Sequence, residues 1–558
     1  MEPFQALPVI IQPFYLLMGL HQAPSLKDFV MCSASTQTAV VQTEEGAIRG
    51  AFDRAAGLHT FFGIPYAKSP VGALRFRPPQ PHDGWSGVRD AASFGSASAQ
   101  LFDSTEGEYS EFTDEPQVEG QPWVGGEDCL TLNIWTRSLG AHKKPVVVWI
   151  HGGANWLESS RLKCYHGDQM AKNGDMVFVS INYRLGVFGF LDVSVLGGEE
   201  YSGSHSHGLL DQLQALHWIR RNIAQFGGDP QNITLMGESA GSIDISWHLA
   251  GGHLNGLVRR VVMMSGYAGL PGLSGDLTYG LSNASAGDVA REFFADCGID
   301  SFQQLSEMTT ADLMMKVHQL SESRDMLFHM DSLFWPKSHA KSSLLDPIAF
   351  AAKGEVTGID IIIGFTNYEM GLWLNWDERI DQMGMDSVIE SIGIPAGLAE
   401  SVKSLYRETF PDENDGQRAM HLLGDSAFVM PSLWAAEGLA RNNRVKVYRF
   451  DRETDPRRRA QHAADQVYFF DKLDTYVGKL LAGLPTTDTD CQERESLVRL
   501  MQGLIFSYAE AGHPDYSAWA DYDTEHRSLL ALDAKPSIKS DPYKKRREWW
   551  FQNIYPSY

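Results

Sequence analysis

Asn232-Ile-Thr-Leu-Met-Gly-Glu-Ser-Ala-Gly-Ser242 is the stretch on which the reading of this chain turns. Ile233 to Met236 is an apolar run of strand length. It breaks into Gly237-Glu238-Ser239-Ala240-Gly241, and Ile243 to Leu249 follows with the composition of a helix. This is the pattern G-x-S-x-G between a strand and a helix. In so sharp a turn, side chains at the two flanking positions would collide with the neighbouring strand and helix. Gly237 and Gly241 remove them, and Ser239 projects with its Oγ exposed. Alone, the pattern reads either as a glycine-rich turn or as a nucleophile, and the surrounding chain decides.

On both sides of this stretch the same kind of apolar run recurs. Pro145 to Ile150 and Met176 to Ile181 read as strands buried on both faces. Val261 to Met264, Ile359 to Ile363 and Val445 to Phe450 continue the series after the elbow. Between them, Gly208 to Phe226 carries Leu209, Leu213, Leu216, Ile219 and Ile223 near helical period. Strands alternating with amphipathic helices predict an α/β fold with a mostly parallel central sheet flanked by helices. Residues 270–345 and 373–441 read as mainly helical insertions over one end of that sheet. Val40 to Gly46 reads as the start of an N-terminal hairpin, and the prolines between Pro70 and Pro81 predict an extended connector. Ser98 to Gly126 is acidic and without periodicity, a long loop. No linker or repeat divides the chain, so residues 39–558 are expected to form a single domain, preceded by an extension over 1–38.

With 558 residues, 43% apolar and 21% charged, the composition is that of a globular protein with a large core. Lysine and arginine total 47 against 70 acidic residues, a formal charge of −23, which disfavours nucleic acid and anionic membranes as partners. The five cysteines are scattered, with no histidine nearby at zinc-ligand spacing, so no metal site is expected. His205-Ser206-His207 reads as a surface loop, and Arg457-Arg458-Arg459 as a solvated turn. Asn232-Ile-Thr234 and Asn283-Ala-Ser285 are glycosylation sequons that do not establish secretion. Pro8 to Leu20 is apolar but lacks the positive residues that precede a signal-peptide core, and no stretch has transmembrane length.

In an open parallel sheet, ligands bind beyond the carboxyl ends of the strands. The strand ending at Ile150 leads into His151-Gly152-Gly153-Ala154, a turn able to expose N–H groups toward a developing oxyanion. Gly153 and Ala154, with Ala240 just after the serine, are the expected donors. After Ile363 comes Glu369, preferred over Asp377 and Glu378 only because it is nearer the strand end. After Phe450 comes His462, set among Ala460, Ala463 and Ala464, which leave room for the ring. Serine, then carboxylate, then histidine is a chain order that supports nucleophilic catalysis.

These residues, together with others over nearly the whole chain, resemble the type-B carboxylesterase family of cholinesterase-like and para-nitrobenzyl-esterase-like α/β-hydrolases. The resemblance includes Gly63-Ile-Pro-Tyr-Ala67 with Arg75-Phe76, Glu127-Asp-Cys-Leu-Thr-Leu-Asn133 and Asn182-Tyr-Arg-Leu-Gly-Val-Phe-Gly189. It continues through Gly208-Leu-Leu-Asp-Gln212, Phe226-Gly-Gly-Asp-Pro230 and Gly512-His-Pro-Asp515 with Trp519 and Tyr522. It implies a serine carboxylesterase with Ser239 as nucleophile, Glu369 as acid and His462 as base, acting on a small-molecule ester without a cofactor. Gly153, Ala154 and Ala240 would form the oxyanion hole, with Gly152 in the same loop. Ser265 would support the acid from behind, and Glu238 would lie near the floor of the site. An amidase, thioesterase or lactone-opening enzyme would use the same residues, and a non-catalytic binding module of this fold is the alternative from another class.

Three departures from the family pattern stand out. Ser98 occupies the position of the cysteine that the family pairs with the equivalent of Cys129, which points to the cytoplasm more than to secretion. Ala154 replaces the third glycine of the oxyanion loop. Met370 separates Glu369 from Gly371, so the turn around the acid is expected to differ. The reading is compatible with a monomer or a homodimer.

Overall fold

The structure is a computed structural model and describes residues 36–101, 115–116, 118, 120–268, 285–323, 334–336, 347–375, 382–453 and 455–555. The extension over 1–35, most of the acidic loop, Asp377, Glu378, Cys32 and Asn283 lie outside the described residues.

The described residues form fifteen strands: β1 (Thr36–Gln42), β2 (Ala47–Asp53), β3 (Leu58–Pro65), β4 (Val88–Asp90), β5 (Gln100–Leu101), β6 (Trp123–Val124), β7 (Thr131–Thr136), β8 (Lys144–Ile150), β9 (Val177–Ile181), β10 (Gly228–Glu238), β11 (Arg260–Met264), β12 (Asp360–Thr366), β13 (Val445–Phe450), β14 (Ser528–Leu532) and β15 (Ser537–Ser540). All but β5 and β6 join one sheet, ordered β1-β2-β3-β7-β9-β8-β10-β11-β12-β13-β14-β15, with β4 on β2. From β9 to β14 the neighbours run parallel, whereas β1, β2, β3, β7 and β15 pair antiparallel. β5 and β6 pair with each other, so the two ends of the acidic loop are tied where a plain loop was expected.

Side chains alternate between the two faces of a strand, and the core follows that period. Val146, Val148 and Ile150 of β8, Val177 and Val179 of β9 and Val261 and Met263 of β11 enter one core. Val147 and Trp149, Phe178, and Val262 and Met264 enter the other. The helices His207–Asn222 and Ala240–Ala250 cover the first face with Leu209, Leu216, Ile219, Ile243 and Trp247. Asp488–Ala511 covers the second with Leu497, Met501, Leu504 and Ile505. Burial on both sides is why the parallel strands read as continuous apolar runs.

Several expectations are corrected. The first strand begins at Thr36, ahead of the expected boundary at 39. The helix expected over 208–226 ends at Asn222 and tightens to a 3₁₀ turn, Ile223–Phe226, stopped by Gly227 at φ +88°. His205 and His207 are buried at the start of that helix and do not form a surface loop. Arg459 is only partly solvated: it pairs with Glu413 at 2.6 Å and stacks over Tyr368.

One buried and one partly buried ion pair explain sequence motifs that carry no chemistry. Arg184, just after β9, holds Asp211 of the following helix through two bonds of 2.7 Å. Arg75 holds Glu127 through its Nε at 2.7 Å. Both pairs pin segments that run to the carboxyl ends of the central strands. Among the described residues, no helix is long and apolar enough to cross a membrane.

Candidate active site

The chain passes from β8 outward to β9 and then returns to build β10 on the other side of β8. Such a reversal leaves a crevice at the carboxyl ends of β8 and β10, where open α/β sheets place their ligands. His151 to Ala154 leaves β8 at that crevice, and the elbow leaves β10 beside it.

The elbow is as tight as its glycines require. A Cβ at Gly237 would lie 2.6 Å from the carbonyl carbon of Gly241, and one at Gly241 would lie 2.3 Å from the carbonyl oxygen of Ile150. Ser239 itself has φ +51° and ψ −120°, a conformation costly for a residue with a side chain. The strain is held by bonds on both sides: the Ser239 N–H donates to the carbonyl of Met264 at 2.9 Å, and the Ser239 carbonyl accepts from Ile243 at 2.9 Å. Ala240 opens the helix Ala240–Ala250, so its N–H has no acceptor within that helix.

The loop after β8 is folded over this serine. A Cβ at Gly152 would stand 3.2 Å from Ser239 Cβ and 2.8 Å from Glu238 Oε2, so only glycine fits there. Gly153, Ala154 and Asn155 follow with φ of +81°, +51° and +62°. The turn is fastened beneath by Asn155, whose Nδ2 donates to Asp244 at 3.2 Å, and by Tyr183, whose hydroxyl donates to the His151 carbonyl at 2.9 Å. Burial lowers His151 to about 4, so this ring is neutral at physiological pH. Among the described residues, the N–H groups of Gly153 and Ala154 donate to no protein acceptor.

Glu369 and His462 lie beyond the ends of β12 and β13. Glu369 opens a 3₁₀ helix, Glu369–Asn375, which accommodates Met370 in the core where the family pattern has glycine. Its Oε1 accepts from the Thr366 N–H at 2.7 Å and from the Ser265 hydroxyl at 3.0 Å. Its Oε2 lies 2.6 Å from His462 Nδ1, and its carbonyl accepts the His462 N–H at 3.1 Å. The other ring nitrogen, Nε2, lies 3.1 Å from Oε1 of Glu238, the residue that precedes Ser239. Trp373 and Phe428 flank the imidazole with ring centroids at 5.3 and 4.4 Å.

Thus Ser239, Glu369, His462, Gly152, Gly153, Ala154, Ala240, Glu238 and Ser265 all converge on one crevice. Four neighbours were given no role in the sequence reading, Trp373 beside His462 being the first. Phe428 projects from a π-helical turn, Asp425–Val429, which no local pattern announces. Asp465, three residues after His462, is buried and accepts from Tyr448 at 2.6 Å. Glu158 accepts from Tyr165 at 2.6 Å, with only its position in the loop after β8 as a signal.

A model described as the carboxylesterase family matches residues 37–550. A para-nitrobenzyl esterase of Bacillus subtilis is 32% identical over 527 residues, 93% of this chain and 99% of the relative. A phenmedipham hydrolase of Pseudarthrobacter oxydans is 30% identical, over 88% of this chain and 94% of the relative. The crystal structure of a carboxylesterase of Geobacillus stearothermophilus superposes with a TM-score of 0.78 at 31% identity, covering 92% of this chain and all of that one.

Proposed function

Because this chain belongs to the carboxylesterase family and is a carboxylic ester hydrolase, we propose that it works through an acyl-enzyme on Ser239, with His462 as base and Glu369 as its orienting acid. The observation that carries this reading is the placement of His462, held at Nδ1 by Glu369 with Nε2 buried and free of any hydrogen bond among the described residues. Its Nδ1 is 2.6 Å from Glu369, and its Nε2 faces the side chain adjoining Ser239.

Glu369, anchored by Thr366 and Ser265, accepts a hydrogen bond from Nδ1–H, which fixes the tautomer with its lone pair on Nε2. Nε2 removes the Ser239 proton as Oγ attacks the ester carbonyl. The oxyanion is received by the N–H groups of Gly153, Ala154 and Ala240, the last at the positive end of its helix. His462 returns the proton to the departing alcohol, and water then cleaves the acyl-enzyme by the same route.

The apolar rings of Trp373 and Phe428 beside His462 favour an ester with an aromatic or branched apolar portion. The buried Cys129 has the Ser98 hydroxyl beside it where the family would place a disulfide, which favours a reducing compartment. The test is steady-state hydrolysis of p-nitrophenyl esters graded separately in acyl and alcohol size. Turnover of at least one of these esters, abolished in Ser239→Ala, is expected. Undiminished turnover by Ser239→Ala would overturn the reading.

A further inference from the structure

The loop that lies over Ser239 also brings together two carboxyls that the mechanism above does not use. Glu158 is partly buried at φ +75°, and its Oε2 accepts the Tyr165 hydroxyl at 2.6 Å. A Cβ at Gly153 would lie 2.9 Å from Glu158 Cγ, just as one at Gly152 would lie 2.8 Å from Glu238 Oε2. The two glutamates therefore pack against consecutive glycines of the same turn. Tyr165 and Tyr183 feel the charge of both. On its far side Glu238 approaches His462 Nε2 at 3.1 Å.

That last contact matters for the base. If Glu238 were ionised, His462 would stand between two carboxylates and be held as imidazolium, with no lone pair for the Ser239 proton. Two buried carboxyls packed on consecutive residues of one turn oppose each other's ionisation, because ionising the second works against both burial and the first. We propose that Glu158 is a positioning residue for that charge: it carries the single negative charge of the pair, holds Glu238 as a neutral acid, and so keeps His462 Nε2 available to Ser239. The proposal rests on the triad reading above.

The titration order agrees with the geometry. Burial raises Glu158 to about 7, tempered by its bond to Tyr165. Burial pushes Glu238 well above the ordinary carboxyl range, and of the neighbouring charges Glu158 adds most, ahead of Asp465 and Glu369. Glu158 thus ionises first. Asp465, also raised by burial to about 6, faces the same cluster from the helix after His462.

The experiment is a pH profile of kcat/KM from 5.5 to 9 for wild type, Glu158→Gln, Glu238→Gln and the double variant. Glutamine keeps an oxygen for Tyr165, so the loop retains its anchor. Below pH 6, where Glu158 is protonated, wild type and Glu158→Gln coincide. Above pH 7 they diverge, to about tenfold at pH 8.5, the effect of one pH unit of coupling. In the Glu238→Gln background the Glu158→Gln effect vanishes. Overlapping profiles, an equal loss at every pH, or an undiminished Glu158→Gln effect in the Glu238→Gln background would each overturn the proposal. None of these outcomes bears on the triad reading, which fails only through Ser239 and His462.

Discussion

The Ser265 hydroxyl donates to Glu369 Oε1 at 3.0 Å, across the join between the neighbouring strands β11 and β12. Ser265 is fully buried and has φ +46°, so a strained backbone delivers one hydrogen bond to the Glu369 carboxylate. The Glu369 oxygen it meets is not the one that faces His462. Its contribution is therefore to the orientation and charge of the carboxylate.

Ser265→Ala leaves Oε1 with the Thr366 N–H alone. A hydrogen bond to a charged group contributes about 1.5–3 kcal/mol, so kcat falls about tenfold or more while KM changes little. Steady-state kinetics on one ester decides it, and an unchanged kcat would remove Ser265 from the account of the acid.

Two glycines with opposite surroundings make a paired prediction. A Cβ at Gly241 meets the Ile150 carbonyl oxygen at 2.3 Å, a backbone atom of the central strand that cannot yield. Gly503, in the helix Asp488–Ala511, has nothing within 4 Å of the same atom. Gly241→Ala is expected to abolish activity and lower Tm sharply, whereas Gly503→Ala gains about 1 kcal/mol from helix propensity. Thermal unfolding and ester turnover of both variants check this.

A good deal of this was legible in the sequence, for reasons that particular residues show. β8, β9, β11, β12 and β13 are buried on both faces, so their apolar runs stand out whatever the period. β7 does not stand out: Thr131, Asn133 and Thr136 are polar yet buried, and Asn133 is accommodated by bonds to Ser160, Ser180 and the Gly63 N–H. Local polarity cannot reveal a strand whose buried asparagine is satisfied from 27 or more residues away. The site divides in the same way. Ser239, Glu369 and His462 follow strand ends, a position readable along the chain. Phe428 reaches His462 because Arg546 of the C-terminal helix Lys544–Asn553 and Tyr406 bind Asp425 in the same π-helical turn. That arrangement exists only in the folded chain.

Stability should weaken in acid through His248. The ring is buried, with Nε2 at 2.9 Å from Gln212 Oε1, and burial lowers it to about 3. The unfolded histidine takes its proton near 6.5. Below that pH the unfolded chain binds more protons than the folded one, so stability falls as pH descends toward the folded value. The loss is up to about 1.4 kcal/mol per pH unit. Urea midpoints at pH 7.5 and 5.0 should differ less in His248→Gln than in wild type. An equal difference in both would assign the acid sensitivity elsewhere.

The central claim is that Ser239 is the nucleophile, and covalent labelling tests it most directly. A fluorophosphonate probe, followed by intact mass and peptide mapping, is expected to add one group per chain, on Ser239. Ser239→Ala should remain folded, take no label and lose about 10⁶-fold in kcat. Labelling at another residue, or an Ser239→Ala enzyme that still turns over esters at the wild-type rate, would contradict the account.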